Sequence, residues 1–333
     1  MKKLRCAVIG LGRLGSRHAT NLAGVLSQAE LVAVSDVSKD SLDRFRSEYP
    51  DIKQYSDYRD ILKNNEVDAV IIASSTSTHA QILKETILAR KPAFIEKPLS
   101  LDWKEAVELN ELVEKTGAFV QLGFMRRFDP PYSKAKNHIL SGAIGEPISI
   151  TCISRDPSCP PIEFAKKSGG MIMDLCIHDI DLCRWFIGSE VKEVFAQGGV
   201  VRYSELKEIG DIDHANIILT FADGKMGLLE GSRNSRYGND VRTEIICSEG
   251  AVKVGVVEER DVSFLDSEGT HIQSIPGFLE RFEKAYLAEM EQFIIDVVQG
   301  NKARVGVYDG LKAMEIAIAA NESLKSNKPI TIK

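Results

Sequence analysis

The chain has 333 residues, 44% of them hydrophobic and 27% charged, with a formal net charge of −6 at pH 7, which fits two packed domains. The acidic balance, with no basic stripe, argues against a nucleic-acid role. No run of ~18 apolar residues marks a membrane span. Met1, Lys2 and Lys3 lead straight into a strand and a glycine turn, unlike a cleavable leader. Cysteines stand at 6, 152, 159, 176, 183 and 247 without any C-x-x-C pair, which implies reduced thiols and a cytoplasmic protein.

Leu4 to Ile9 is a short apolar run rich in β-formers. Gly10, Gly12 and Gly15 follow at G-x-G-x-x-G spacing, with His18, Ala19, Leu22 and Ala23 at helical spacing behind them. Gly10 permits the tight turn, Gly12 lets a pyrophosphate approach the backbone, and Gly15 lets the helix pack close to the sheet. The helix N-terminus supplies N–H groups and a positive dipole end to the phosphates. A second strand, Leu31 to Ser35, ends in Asp36 about 20 residues beyond the last glycine, where an acid accepts hydrogen bonds from a ribose and repels a 2′-phosphate. NAD is therefore the expected cofactor. Lys39 keeps NADP as the alternative, and capping of the next helix is the plain structural reading of Asp36.

Helix and strand then alternate. Helices are predicted at Ser41 to Tyr49, Tyr58 to Lys63, Gln81 to Ala89 and Asp102 to Thr116, the last with Asp102 near its N-cap. Strands are predicted at Val67 to Ala73, Pro92 to Ile95 and Ala118 to Leu122. This is the pattern of a parallel, doubly wound sheet with its ligand at the carboxyl ends of the strands. Ser74, Ser75, Thr76 and Glu96-Lys97-Pro98 fall at that edge. Lys97 there is either a solvated charge or a site residue.

Beyond Gly123 the pattern changes, with a boundary near Leu122 to Pro130. A helix spans Tyr132 to Leu140, and a half-buried strand spans Ile148 to Ser154. Further strands are predicted at Val191 to Val201, Ala215 to Phe221, Lys225 to Ser232, Arg242 to Cys247 and Ala251 to Val256, with an Asp223-Gly224 hairpin turn. Such strands with short turns imply an α+β domain around a large, open antiparallel sheet. Ile148, Ile150 and Cys152 with Ile217, Leu219 and Phe221 are expected to face its core. Ile153 and Ile218 are expected on the other face. Two long helices close the chain, one carrying the stripe Tyr286, Met290, Phe293, Ile294, Val297 and Val298, the other running from Asp309 to about Lys325.

Gly169-Gly170 precede Asp174 and His178, which stand four apart and share a helix face. A carboxylate bonded to one imidazole nitrogen fixes the tautomer and leaves the other nitrogen to take a proton from a hydroxyl. A structural histidine satisfied by a neighbouring aspartate is the alternative. Asp179 and Asp181 point elsewhere, to cap, solvate or pair. Zinc is excluded on spacing: Cys176 and Cys183 are seven apart, and Cys152 and Cys159 lie in a strand and a proline-rich loop.

The glycine turn, Glu96-Lys97-Pro98, and Gly169-Gly170 ahead of Asp174-x-x-x-His178 together resemble the glucose–fructose oxidoreductase and inositol dehydrogenase family, over essentially the whole chain. Met125-Arg126-Arg127-Phe128-Asp129, Tyr237-Gly238 and Arg281-Phe282 ahead of Tyr286 are similar to its bacterial inositol 2-dehydrogenases. The resemblance implies an N-terminal Rossmann domain over residues 1–123, and a substrate and oligomerisation domain over 124–333 whose C-terminal helices pack back on the first. It implies a catalytic trio of Lys97, Asp174 and His178, with Arg127, Asp156 and Tyr237 as further substrate contacts. NAD would be held by Gly10, Gly12, Arg13, Leu14, Gly15 and Asp36, and by Ser74, Ser75, Thr76, His79, Glu96 and Lys97.

The implied reaction is oxidation of a ring hydroxyl of myo- or scyllo-inositol to the ketone, in a homotetramer, with no metal, membrane or nucleic-acid partner. Another cyclic sugar, or a sensor that binds dinucleotide without turnover, are the rivals. Ser74 to Thr78 departs from the Thr-Pro-Asn that the family places ahead of the histidine at 79. The loop Pro157 to Lys167, expected to line the substrate pocket, has its own sequence.

Overall fold

The computed structural model describes residues 3–255, 258–267 and 269–332. Its chain divides into two compact units, Met1–Met125 with Tyr286–Lys312, and Arg126–Ala285 with Ala313–Lys333.

In the first unit, strands and helices alternate as β1 (Leu4–Ile9), α1 (Arg13–Thr20), β2 (Ala29–Ser35), α2 (Lys39–Glu48), β3 (Lys53–Tyr55), α3 (Tyr58–Lys63), β4 (Ala69–Ile72), α4 (His79–Leu88), β5 (Ala93–Glu96), α5 (Trp103–Thr116) and β6 (Val120–Gly123). Among the described residues six parallel strands pair in the order β3-β2-β1-β4-β5-β6, the doubly wound dinucleotide-binding order. Every residue of β4 and β5 is buried, as expected of parallel strands covered on both faces. Asp102 caps α5 by accepting from the Glu105 N–H, and Gly117 ends it at φ +65°. β3 has no sequence counterpart, because three polar, partly exposed residues at a sheet edge carry no periodicity.

The core of this unit gathers Val8, Ile71 and Phe94 of the sheet with Met290, Phe293 and Ile294 from near the end of the chain. Phe293 meets Phe94 edge-on at 6.0 Å, and the Leu122 N–H donates to the Val305 carbonyl at 2.9 Å.

The second unit begins with α6 (Pro130–Leu140), β7 (Pro147–Arg155), α7 (Ile162–Ala165), a π-helical turn at Ile172–Cys176 and α8 (Ile177–Ile187). It continues with β8 (Val191–Gly199), β9 (His214–Phe221), β10 (Met226–Ser232), β11 (Asp240–Cys247), β12 (Gly250–Val254), β13 (Glu258–Asp266) and β14 (Gly269–Ser274). α9 (Phe278–Arg281), α10 (Glu283–Gln299), α11 (Val307–Ser326) and β15 (Ile330–Thr331) finish the chain, with most of α10 counted in the first unit.

Strands of the second unit pair in the order β12-β11-β7-β10-β9-β8-β15, and β13 and β14 form a separate hairpin. The sheet is mixed and not wholly antiparallel, because β7 and β10 run parallel. The chain between them is long enough to return in the same direction, through α8, β8 and β9, whereas hairpin neighbours must reverse.

The Asp223-Gly224 turn forms as predicted, with Gly224 at φ +84° and the Phe221 N–H on the Lys225 carbonyl. β8 stops at Gly199 instead of continuing to Val201. The buried Asp213 accepts from the N–H groups of Val201, Arg202 and Tyr203 and turns the chain away. Against burial, those three donors hold the Asp213 carboxyl below its usual pKa. Val256, at the end of the strand predicted from Ala251, lies outside the described residues.

Ile150, Cys152, Ile217, Leu219 and Phe221 are buried as expected, but Ile148 is 50% exposed. Ile246 pairs with Ser149 and Cys247 with Pro147, so Ile148 sits in a β-bulge that turns it to the other face. That face also exposes Ile218, Met226, Leu228 and Ile246, while Ile153 is half-buried.

Candidate active site

Register aligns the strand ends of the first unit: Ile9 stands beside Ser35 and Ile72, and Ile72 beside Ile95. Gly10, Asp36, Ser74 and Lys97 therefore leave the sheet at one carboxyl edge. Gly10 takes φ +93°, and a Cβ there would lie 2.6 Å from the Ala73 carbonyl oxygen. A Cβ on Gly15 would collide with the Gly10 carbonyl, so the helix can sit against the turn only with glycine there. At Gly12 a Cβ would meet nothing within 4 Å, and this residue begins α1 without a side-chain cap. Open space over uncapped N–H groups fits a pyrophosphate. Arg13 is exposed and Leu14 half-buried in the first turn.

Asp36 accepts from the Leu11 N–H at 2.6 Å and from the Ser38 N–H at 2.7 Å. Ser38, not Asp36, caps α2. Asp36 thus ties the glycine turn to the end of β2, where the ribose-binding acid is expected. Ser74 and Thr78 share a hydroxyl contact of 2.8 Å, and Thr76 opens the short turn that leads to His79.

Two residues expected to hold cofactor are turned inward. His79 is buried, with Nδ1 2.8 Å from the Pro98 carbonyl and Nε2 3.1 Å from the Ser74 carbonyl. It ties the end of β4 to the segment just after Lys97, and burial lowers its pKa against the opposing pull of the two carbonyls. Glu96 is buried against His18 of α1, at 2.7 Å. Lys97, the first residue beyond β5, is half-buried.

In the second unit, Gly169 and Gly170 take φ +83° and +85°, and Asp211 accepts from the Met171 N–H at 2.8 Å. Asp174 falls in the π-helical turn and His178 in the first turn of α8, 8% exposed. Single π-turns recur at functional sites, because they shift the helix face that a side chain presents. Arg233, 1% exposed just beyond β10, sets Nη2 3.2 Å from Asp174 Oδ2 and Nη1 3.6 Å from Asp156 Oδ2. The structure thus brings Asp156 and Asp174 to one guanidinium.

Arg127 and Tyr237 are each engaged by charged protein partners. Arg127 makes two bonds to Asp181, at 2.8 and 2.5 Å, while Arg126 bonds Asp179 and Ser154. Asp179 and Asp181 therefore pair, as one of their expected roles, and clamp α8 to the segment at Arg126 and Arg127. Tyr237 is half-exposed, and its hydroxyl accepts from Arg155 at 2.9 Å and donates to Asp240 at 2.8 Å. The loop Pro157 to Lys167 lines an open pocket of about 690 Å³ with Tyr203, Glu205 and Glu208, and the lining includes none of Asp156, Asp174 or His178.

Sequence reasoning missed Arg233 and Asp211. Each follows or precedes a strand with no periodic signal to separate an inward charge from a solvated one.

The sheet order and the glycine turn pinned by Asp36 in the first unit, with Asp156 and Asp174 gathered on Arg233 in the second, define a dinucleotide-dependent oxidoreductase. Residues 4–124 match the oxidoreductase family with an NAD-binding Rossmann fold, and residues 132–253 match the GFO/IDH/MocA C-terminal domain. The chain belongs to the GFO/IDH/MocA oxidoreductase family. It is 38% identical to the scyllo-inositol 2-dehydrogenase (NAD(+)) of Bacillus subtilis over 330 residues, 99% of this chain and 96% of that one. With the myo-inositol 2-dehydrogenase of Thermotoga maritima the identity is 37% over 331 residues, 99% of both chains. The crystal structure of scyllo-inositol dehydrogenase from Lactobacillus casei with bound NAD(H) and scyllo-inositol superposes with a TM-score of 0.93, at 32% identity and 99% of both chains.

Proposed function

We propose that this chain oxidises one ring hydroxyl of an inositol to a ketone, with NAD as hydride acceptor. The observation that carries the reading is full-length similarity to inositol 2-dehydrogenases of both isomer classes, on a chain that carries Lys97, Asp174 and His178. The glycine turn and Asp36 would hold the dinucleotide, with Ser74, Ser75 and Thr76 at the same strand edge. When bound, NAD supplies the two-electron acceptor for the hydride of the ring carbon. His178 takes the hydroxyl proton, Asp174 orients it, and Lys97 hydrogen-bonds the reacting oxygen as negative charge develops there. Asp156 contacts a further hydroxyl. A site rich in such groups favours a ring hydroxylated at every carbon, since each missing hydroxyl strands a polar group.

The test is NADH absorbance with myo-inositol, scyllo-inositol, glucose and glucose 6-phosphate. Turnover of at least one inositol and poor use of the phosphorylated sugar are expected. His178→Ala should lower kcat/KM by roughly 10²–10⁴ with NAD affinity unchanged. Lack of turnover of either inositol, or an alanine variant with near-normal rates, overturns the reading.

The exposed apolar face of the second unit's sheet supports self-association, and a tetramer is the family expectation. The free thiols fit a reducing compartment such as the cytoplasm.

A further inference from the structure

We infer that Arg233 is a positioning residue for the oxidation, an inference that rests on the roles proposed above for Asp174 and Asp156. Its guanidinium is almost wholly buried, and its two Nη atoms reach Asp174 and Asp156, which come from different elements. A buried charge is retained only where opposite charge and hydrogen bonds offset its lost hydration, and a rigid fork fixes the spacing of two carboxylates better than a flexible ammonium.

The backbone around Arg233 is set for this task. Ser232 pairs with Arg155 in the parallel β7–β10 ladder, and the Asp156 N–H donates to the Ser232 carbonyl at 2.9 Å. The Arg233 N–H donates to the Asp213 carbonyl at 2.9 Å. Gly231, two residues before, lies under the π-turn that carries Asp174, where a Cβ would strike Cys176 Sγ. Arg233 is thus anchored on the side of β10 that the π-turn approaches. Asp174, which orients the proton acceptor, and Asp156, which contacts substrate, share one anchor. Removing it should release both: loss of Asp174 orientation lowers kcat, and loss of Asp156 orientation raises KM.

The experiment is a double-mutant cycle on inositol oxidation, with Arg233→Met, Asp174→Asn and the pair, each checked for NAD affinity and thermal unfolding. Arg233→Met should lower kcat/KM by roughly 10–100-fold, the range for losing a partner that orients a functional side chain, with NAD affinity unchanged. In the Asp174→Asn background the effect of Arg233→Met on kcat should shrink to about twofold, because both changes remove the same interaction. Arg233→Lys should recover part of the rate, and Arg233→Gln, which keeps hydrogen bonding without charge, should not. These two variants carry the cycle if the methionine variant fails to fold. Rates for the arginine variants within about twofold of the parent, or losses in kcat that multiply in the pair, overturn the inference. Near-normal turnover by Asp174→Asn instead overturns the proposed role of Asp174 and leaves the cause of failure clear.

Discussion

Asp36 binds two backbone N–H groups with one carboxylate, and the proposed dinucleotide site asks a second task of it. It holds the Leu11 and Ser38 N–H groups; in the proposed cofactor site a ribose hydroxyl would compete for the same oxygens. Asp36→Asn keeps a hydrogen-bonding side chain but drops the charge, whereas Asp36→Ala also frees the glycine turn. Both should weaken NAD binding and narrow the advantage over NADP, alanine more than asparagine, in calorimetric titrations with the two cofactors. A parent enzyme that prefers NADP would show that Lys39 outweighs this acid. Asp36 was legible because its distance from the glycines is fixed by one β-α-β unit. Arg233 was not: nothing in Ser232-Arg233-Asn234-Ser235 distinguishes a buried guanidinium from an exposed one, since the carboxylates that make burial tolerable lie about 60 and 80 residues away in sequence. Glu96 and His79 were found as residues, but the directions of their side chains depend on partners in α1 and in the segment after β5.

Regular elements were legible where one periodicity held. α3 was bounded at the predicted residues, and Asp102 capped α5 as expected. Local departures were not: the bulge at Ile148 and the π-turn at Ile172–Cys176 are set by neighbouring strands and helices. Gly231 shows how tightly the π-turn is packed. Gly231→Ala places a methyl group against Cys176 Sγ and should cost about 1–3 kcal/mol, as overpacking usually does. Adding Cys176→Ala removes the sulfur and should restore most of the loss, read from urea midpoints at equal m-value. A single variant as stable as the parent would mean that β10 and the π-turn can part without cost.

At the scale of the molecule, Leu228 and Ile218 are cross-strand neighbours on the exposed sheet face. If that face joins copies of the chain, light scattering should report an oligomer at micromolar concentration, and Leu228→Lys with Ile218→Lys should shift it toward monomer. A monomeric parent would remove the association. The class of each domain was legible from the switch between alternating and sequential strands, but the parallel pairing of β7 with β10 in the second sheet was not, because strand direction is decided by long connections. The core of the first unit has a further consequence, in time. Met290, Phe293 and Ile294 complete the packing on Phe94, yet they are made only after the whole middle of the chain. At ~5–20 residues per second a ribosome leaves that apolar face open for on the order of ten seconds or more. Residues 1–125 alone should lack a cooperative thermal transition, while the same fragment joined through a flexible linker to 286–312 should regain one. A cooperative transition in the shorter fragment would show that the nascent domain closes without waiting for its last helix.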